Sequence, residues 1–87
     1  MGRWLAKLGG LRHASGTVVS STVQVPAQVP LVIYSYTVDG TVFLGQRIRQ
    51  HDEFAESAAA TVARYPAGSP IVVYYDPRNP ADSLLEP

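Results

Sequence analysis

From residue 16 onward the chain is dominated by two-residue alternation, the period of a β-strand. Residues 16–25 place Val19, Ser21, Val23 and Val25 on one face and Val18, Ser20, Thr22 and Gln24 on the other. The β-branched content suits a pleated, half-buried surface. Pro26 and Pro30 bracket a loop, since neither can donate to a ladder. Residues 31–38 and 41–48 then read as two strands joined at Asp39-Gly40. A type I′ turn needs positive φ at both central positions, which Asp-Gly supplies. That two-residue loop sets Val38 opposite Thr41, Tyr36 opposite Phe43, Tyr34 opposite Gly45 and Val32 opposite Arg47, with the Tyr34 ring over Gly45. The reverse face carries Leu31, Ile33, Val42, Leu44 and Ile48. Both faces hold apolar residues, so cover on one side and partial cover on the other is expected.

The period then changes. Asp52 is suited to an N-cap, with Glu53 and Glu56 at the positive end of the helix dipole. Phe54, Ala55, Ala58, Val62 and Tyr65 form an apolar stripe, and Pro66 stops the helix. Residues 67–70 turn the chain into a strand over 71–75, apolar on both faces and read as the centre of the sheet. In Asp76-Pro77-Arg78-Asn79-Pro80 the Asp76 side chain caps a turn and Asn79-Pro80 makes a second one. Residues 83–85 suggest a last short strand. The predicted fold is a small α+β domain, a curled, barrel-like antiparallel sheet of four to five strands packed against one α-helix. Its expected core is Val19, Val23, Ile33, Val42, Leu44, Phe54, Val62, Ile71 and Val73.

Residues 1–15 stand apart as a basic amphipathic arm, leaving 16–87 as the single domain. The arm holds the only Trp, three of the seven basic residues and no acid. Trp4, Leu5, Leu8 and Leu11 share one helical face, flanked by Arg3 and Lys7. Gly9-Gly10 weakens that helix by about 1 kcal/mol per glycine relative to alanine.

Length and charge narrow the function classes. Eighty-seven residues make one domain at most. Apolar residues are 46%, too many for a disordered chain. Seven basic and seven acidic residues cancel, so the electrostatic footprint of a general nucleic-acid binder is missing. There is no cysteine, hence no disulfide framework and no thiolate nucleophile. The longest apolar runs fall far short of the ~20 residues of a membrane-spanning helix. The N-terminus lacks the unbroken apolar centre of ~7–15 residues that a secretory signal needs.

The ordered motifs carry a resemblance. A Gly-Thr-Val-Val opening strand is followed by Tyr-Ser-Tyr-Thr-Val-Asp-Gly and a Gly-Gln-Arg-Ile strand end. An alanine-rich helix, Tyr-Pro-Ala-Gly-Ser-Pro, Val-Val-Tyr-Tyr-Asp-Pro-Arg-Asn-Pro and Ser-Leu-Leu-Glu-Pro complete the series. Over residues 16–87 the chain resembles the uncharacterised bacterial family called domain of unknown function 3592. The resemblance implies a small module usually attached to membrane-spanning helices. It carries over no activity, ligand or catalytic residue. The chain departs from the pattern in lacking a spanning helix, and the arm at residues 4–11 sits where such a helix would precede the domain.

The candidate sites are few. His51-Asp52-Glu53 has metal-ligating residue types, but neighbours on a loop point apart and no H-x-x-x-H or H-x-E pattern is present. An N-cap role for Asp52 explains the same residues. Asp76, Arg78 and Asn79 form either a polar recognition loop or simply a turn. No serine sits in a G-x-S-x-G elbow and no glycine-rich phosphate loop occurs. No catalytic residue, metal ligand or cofactor is therefore assigned, and no nucleic-acid partner. Tyr34, Tyr36, Phe43 and Tyr74, with Arg47, make the candidate partner surface, against the alternative of core packing; tyrosine is favoured at interfaces by its amphipathic ring. Arg3, Trp4, Leu5, Lys7, Leu8 and Leu11 make a candidate membrane-interface arm, against packing on the domain or disorder. The leading expectation is a non-enzymatic protein-interaction module, cytoplasmic or membrane-peripheral, with an unidentified protein partner. The alternatives are a membrane-peripheral module anchored by the arm and a small ligand-binding or hydrolytic domain.

Overall fold

The computed structural model describes residues 10–49 and 57–87. Five strands and one helix follow in the order β1 (Arg12–Gln24), β2 (Val29–Val38), β3 (Thr41–Gly45), α1 (Ala58–Arg64), β4 (Pro70–Asp76) and β5 (Asn79–Leu84). The strands form one sheet in the order β3-β2-β1-β4-β5, with every neighbouring pair antiparallel. The sheet curls into a half-barrel whose concave side holds the core. The architecture matches the expected curled sheet with one helix, although the described helix is only seven residues long.

β1 is the centre of the sheet, where β4 was expected. Its 13 residues are long enough to serve two neighbours. The first half pairs with β4 from Arg12 to Thr17 and the second half with β2 from Gly16 to Gln24. The strand therefore starts inside the segment read as an arm, at Arg12.

A bulge in β1 resets its faces. Val18 pairs with Tyr34 and Ser20 with Ile33, leaving Val19 without a partner on β2. An extra residue bends a strand and increases its twist, which helps the sheet to curl. It also breaks the simple alternation. Val18 and Ser21 now point to the same inner side, and Val19 is 54% exposed.

The Asp39-Gly40 turn forms as the sequence predicts, with φ of 51° and 83°. The register is also as expected for Val38–Thr41, Tyr36–Phe43 and Tyr34–Gly45. β3 ends at Gly45, so Val32 and Arg47 do not pair. The expected face is reversed, however. Val42 and Leu44, assigned to the core, are 67% and 64% exposed, while Tyr34 and Tyr36 are fully buried. The core consists of Val18, Val32, Tyr34, Tyr36, Ile48, Val73 and Leu85. Val38, Phe43, Tyr65, Ile71 and Tyr75 pack against it. Of the expected core, Val73 is buried and Ile71 packs at its margin. Burying each large side chain contributes about 1.5–3 kcal/mol.

α1 is capped by Ser57, whose hydroxyl accepts from the Ala60 amide at 3.1 Å. Asp52, Phe54 and Ala55 lie outside the described residues. Thr61 is the buried residue of the helix, and its hydroxyl donates back to the Ser57 carbonyl at 3.2 Å. The helix and its following turn are sewn to β1. The Ser21 hydroxyl donates to the Val62 carbonyl at 3.2 Å. The bulge-flanking Val18 donates to Ser69 at 3.0 Å and accepts from Gly68 at 2.8 Å.

Asp76 caps its turn as expected, with its carboxylate accepting from the Arg78 amide at 2.9 Å. Pro77 and Arg78 form the loop of a hairpin closed by Asp76 and Asn79. Asn79 and Pro80 belong to β5 and do not make a second turn. A proline is tolerated there because β5 ends the sheet.

Candidate functional site

Three features of the fold bear on function: the tyrosine-lined interior, the seam where the half-barrel closes, and the outer face of the sheet.

The interior is an aromatic row. Tyr36 stacks on Phe43 of β3 at 5.6 Å and on Tyr75 of β4 at 6.4 Å, and Tyr34 lies tilted beside it at 6.0 Å. Offset aromatic pairs contribute about 0.5–1.5 kcal/mol beyond area burial. The phenols are satisfied inside the protein. Tyr34 donates to the Arg47 carbonyl at 2.9 Å and shares a 3.0 Å hydrogen bond with the Ser83 hydroxyl. Tyr36 donates to the Pro80 carbonyl at 2.5 Å. Burial pushes the Tyr34 phenol up to about 12, against the stabilising Ser83 hydrogen bond, and burial raises Tyr36 as well. Both phenols are therefore neutral donors at physiological pH. Gly45 makes room for this packing. A Cβ there would stand 2.6 Å from the Tyr34 ring and 2.7 Å from the Ser83 hydroxyl.

Those contacts lie along the seam between β3 and β5, the two ends of the sheet. Beyond β3 the chain continues across the seam. The Ile48 carbonyl accepts from the amides of Leu85 at 3.0 Å and Glu86 at 2.7 Å. Arg49 and Glu86 form a parallel bridge. The Glu86 carboxylate gathers four donor atoms from three residues. Arg49 gives Nε at 3.1 Å and Nη2 at 2.7 Å to one oxygen. Arg64 gives Nη2 at 3.0 Å to the other, which also accepts from the Tyr65 hydroxyl. Partial burial pulls the Glu86 carboxyl upward, but the hydrogen bonds from Tyr65, Arg49 and Arg64 outweigh it and hold the group below the usual carboxylate range. Burial and the hydrogen bond to Glu86 push the Tyr65 phenol up to about 12.

The outer face across β3, β2, β1 and β4 is of opposite character. Up to Tyr74 on β4 it carries Val42, Leu44, Leu31, Ile33, Val72 and Tyr74 among serines and threonines. Val42, Leu44 and Val72 are each more than half exposed. His13 meets Tyr74 edge-on at 6.2 Å on this face.

The structure divides the residues expected to form a partner surface. Tyr34 and Tyr36 are core residues, so they are corrected from surface to interior; their rings are buried and their hydroxyls find partners inside. Phe43 is half-buried on the same inner side. Tyr74 is half-buried on the outer face beside Val72, and Arg47 is exposed after β3 with its carbonyl bound to Tyr34. Of the candidate arm, Leu11 is half-buried just before β1, while Arg3, Trp4, Leu5, Lys7 and Leu8 lie outside the described residues. His51, Asp52 and Glu53 also lie outside them. Among the described residues no helix is long and apolar enough to cross a membrane. Sequence reasoning passed over Ser83, Glu86, Arg49 and Arg64. Glu86 lies 37 residues from Arg49, and no local pattern connects them.

A half-barrel with its core on the concave side and a closed seam defines a small β-rich domain. The chain belongs to the family described as "Domain of unknown function (DUF3592)", whose family model matches residues 14–87. That match begins within β1, in agreement with a domain that includes the early part of this strand. No curated protein and no solved structure matches the chain.

Proposed function

We propose that the chain is a non-enzymatic interaction module that binds a protein through the outer face of its sheet. One observation carries this reading: Val42 and Leu44, neighbours on one face of β3, stand 67% and 64% exposed. Exposed apolar patches of this kind mark interaction sites more often than chance. Val72 and Tyr74 add apolar surface to the same side of the sheet on β4, beyond the Thr37 and Ser15 hydroxyls. Tyr74 supplies the amphipathic ring favoured at protein interfaces. The buried Tyr34 and Tyr36 act as the platform behind this face and hold its curvature.

The test is retention of a partner by the immobilised protein and by a Val42→Lys/Leu44→Lys variant. A partner held by the wild type and lost by the variant, at unchanged melting temperature, supports the reading. Equal retention by the two proteins, or loss only with unfolding, overturns it.

A further inference from the structure

β3 and β5 close the half-barrel without a ladder between them. By contrast β1 and β2 share eight registered pairs. Among the described residues, residues 83–86 bridge the seam through side-chain groups and one shared carbonyl. Ser83 meets the Tyr34 phenol, the amides of Leu85 and Glu86 converge on Ile48, and the Glu86 carboxylate takes Arg49, Arg64 and Tyr65.

We propose that residues 85–86, beyond the β4–β5 ladder, are a charge-locked strap: the Glu86 carboxylate holds the seam shut, and neutralising it releases the strap while the sheet stays formed. The groups facing Glu86 explain the lock. Arg49 approaches from the segment after β3, and Arg64 and Tyr65 from the end of α1. With Glu86 ionised, one negative charge lies between two guanidinium groups. With Glu86 neutral, the hydrogen bonds from Arg49 and Arg64 lose their charge assistance. A charge-assisted hydrogen bond is about twice as strong as a neutral one, and losing that assistance loosens the clasp. Release uncovers Ile48 and Leu85, both buried in the closed form.

The pH sign follows from the geometry. A carboxyl held below its ordinary range stabilises the closed strap above its unfolded pKa, and that stabilisation is lost as pH falls through the folded value. Acidification therefore opens the strap, and neutral pH closes it.

The test is native-state hydrogen exchange on the wild type and on Glu86→Gln at neutral pH. The expected result is amide exchange at positions 85 and 86 accelerated by about tenfold or more, the size expected for losing a hydrogen bond to a charged group. Amides of the β1–β2 ladder should change by less than about twofold. In the wild type, protection at the same two amides should fall selectively on acidification, and in Glu86→Gln it should not respond. Unchanged exchange at positions 85 and 86, uniform acceleration of every strand, or a variant that does not fold would each overturn local release.

Discussion

The phenolic oxygen of Tyr34 lies 3.0 Å from the hydroxyl oxygen of Ser83, a contact between β2 and β5 that spans 49 residues of sequence. The same phenol donates to the Arg47 carbonyl. One tyrosine thus joins the strand that carries it, the chain leaving β3 and the final strand. It turns an open curled sheet into a closed half-barrel.

Removing that hydroxyl leaves two polar groups facing an apolar ring. Tyr34→Phe is expected to cost about 1–3 kcal/mol, because buried groups left unpaired bear the desolvation penalty. Urea denaturation reads it as a lower midpoint at constant slope. The double variant Tyr34→Phe/Ser83→Ala should cost less than the sum of the single changes, since the two groups interact directly. Strict additivity would contradict the contact.

Gly45 has no room for a side chain. Gly45→Ala places a Cβ 2.6 Å from the Tyr34 ring and 2.7 Å from Ser83. Overpacking of this kind costs about 1–3 kcal/mol. A thermal melt is the simplest check, and an unchanged transition would show that the ring is not seated over this glycine.

The two faces of the β2–β3 hairpin predict opposite tolerance. Leu44→Ser should change stability by less than about 0.5 kcal/mol, as surface substitutions do. Val32→Ala, on the opposite face of the hairpin and buried, should cost about 1–3 kcal/mol. Denaturant midpoints of the two variants would reverse in order if the hairpin faced the other way.

High pH should unfasten the interior. Tyr34 and Tyr65 are both pushed up to about 12. Their unfolded values lie near ~10, so the stabilisation is present in full below that pH and lost as pH rises towards ~12. For the fully buried Tyr34 a shift of this size corresponds to about 2–3 kcal/mol. Ultraviolet titration of the phenols should show tyrosines ionising late and together with unfolding, and Tyr34→Phe should blunt the alkaline loss of stability.

Much of the local structure was legible in the order of residues. Asp39-Gly40 dictates a type I′ turn because few other pairs accept two positive φ angles, and the three register pairs nearest it follow. The Asp76 side chain announces its own turn, since a short carboxylate two residues before an amide can satisfy it locally. The ordered motifs were sufficient to place residues 16–87 in the family whose model matches residues 14–87.

What needed tertiary structure was the choice between faces. The β2–β3 hairpin is apolar on both sides, so alternation alone could not say whether Tyr34 and Tyr36 or Leu44 and Val42 turn inward. Ser83 and the carbonyls of Arg47 and Pro80 decide it, because they meet the Tyr34 and Tyr36 hydroxyls once those rings turn inward. The β1 bulge had no signature either: Val18, Val19 and Ser20 fit an unbroken strand equally well until Tyr34 and Ile33 take their partners. The Glu86 clasp likewise exists only once the curl brings Arg49, Arg64 and Tyr65 together. Turns are written in neighbouring residues, where sterics act over one or two peptides. Facing, closure and ion clustering depend on groups far apart in the chain, and the folded sheet alone brings them within reach.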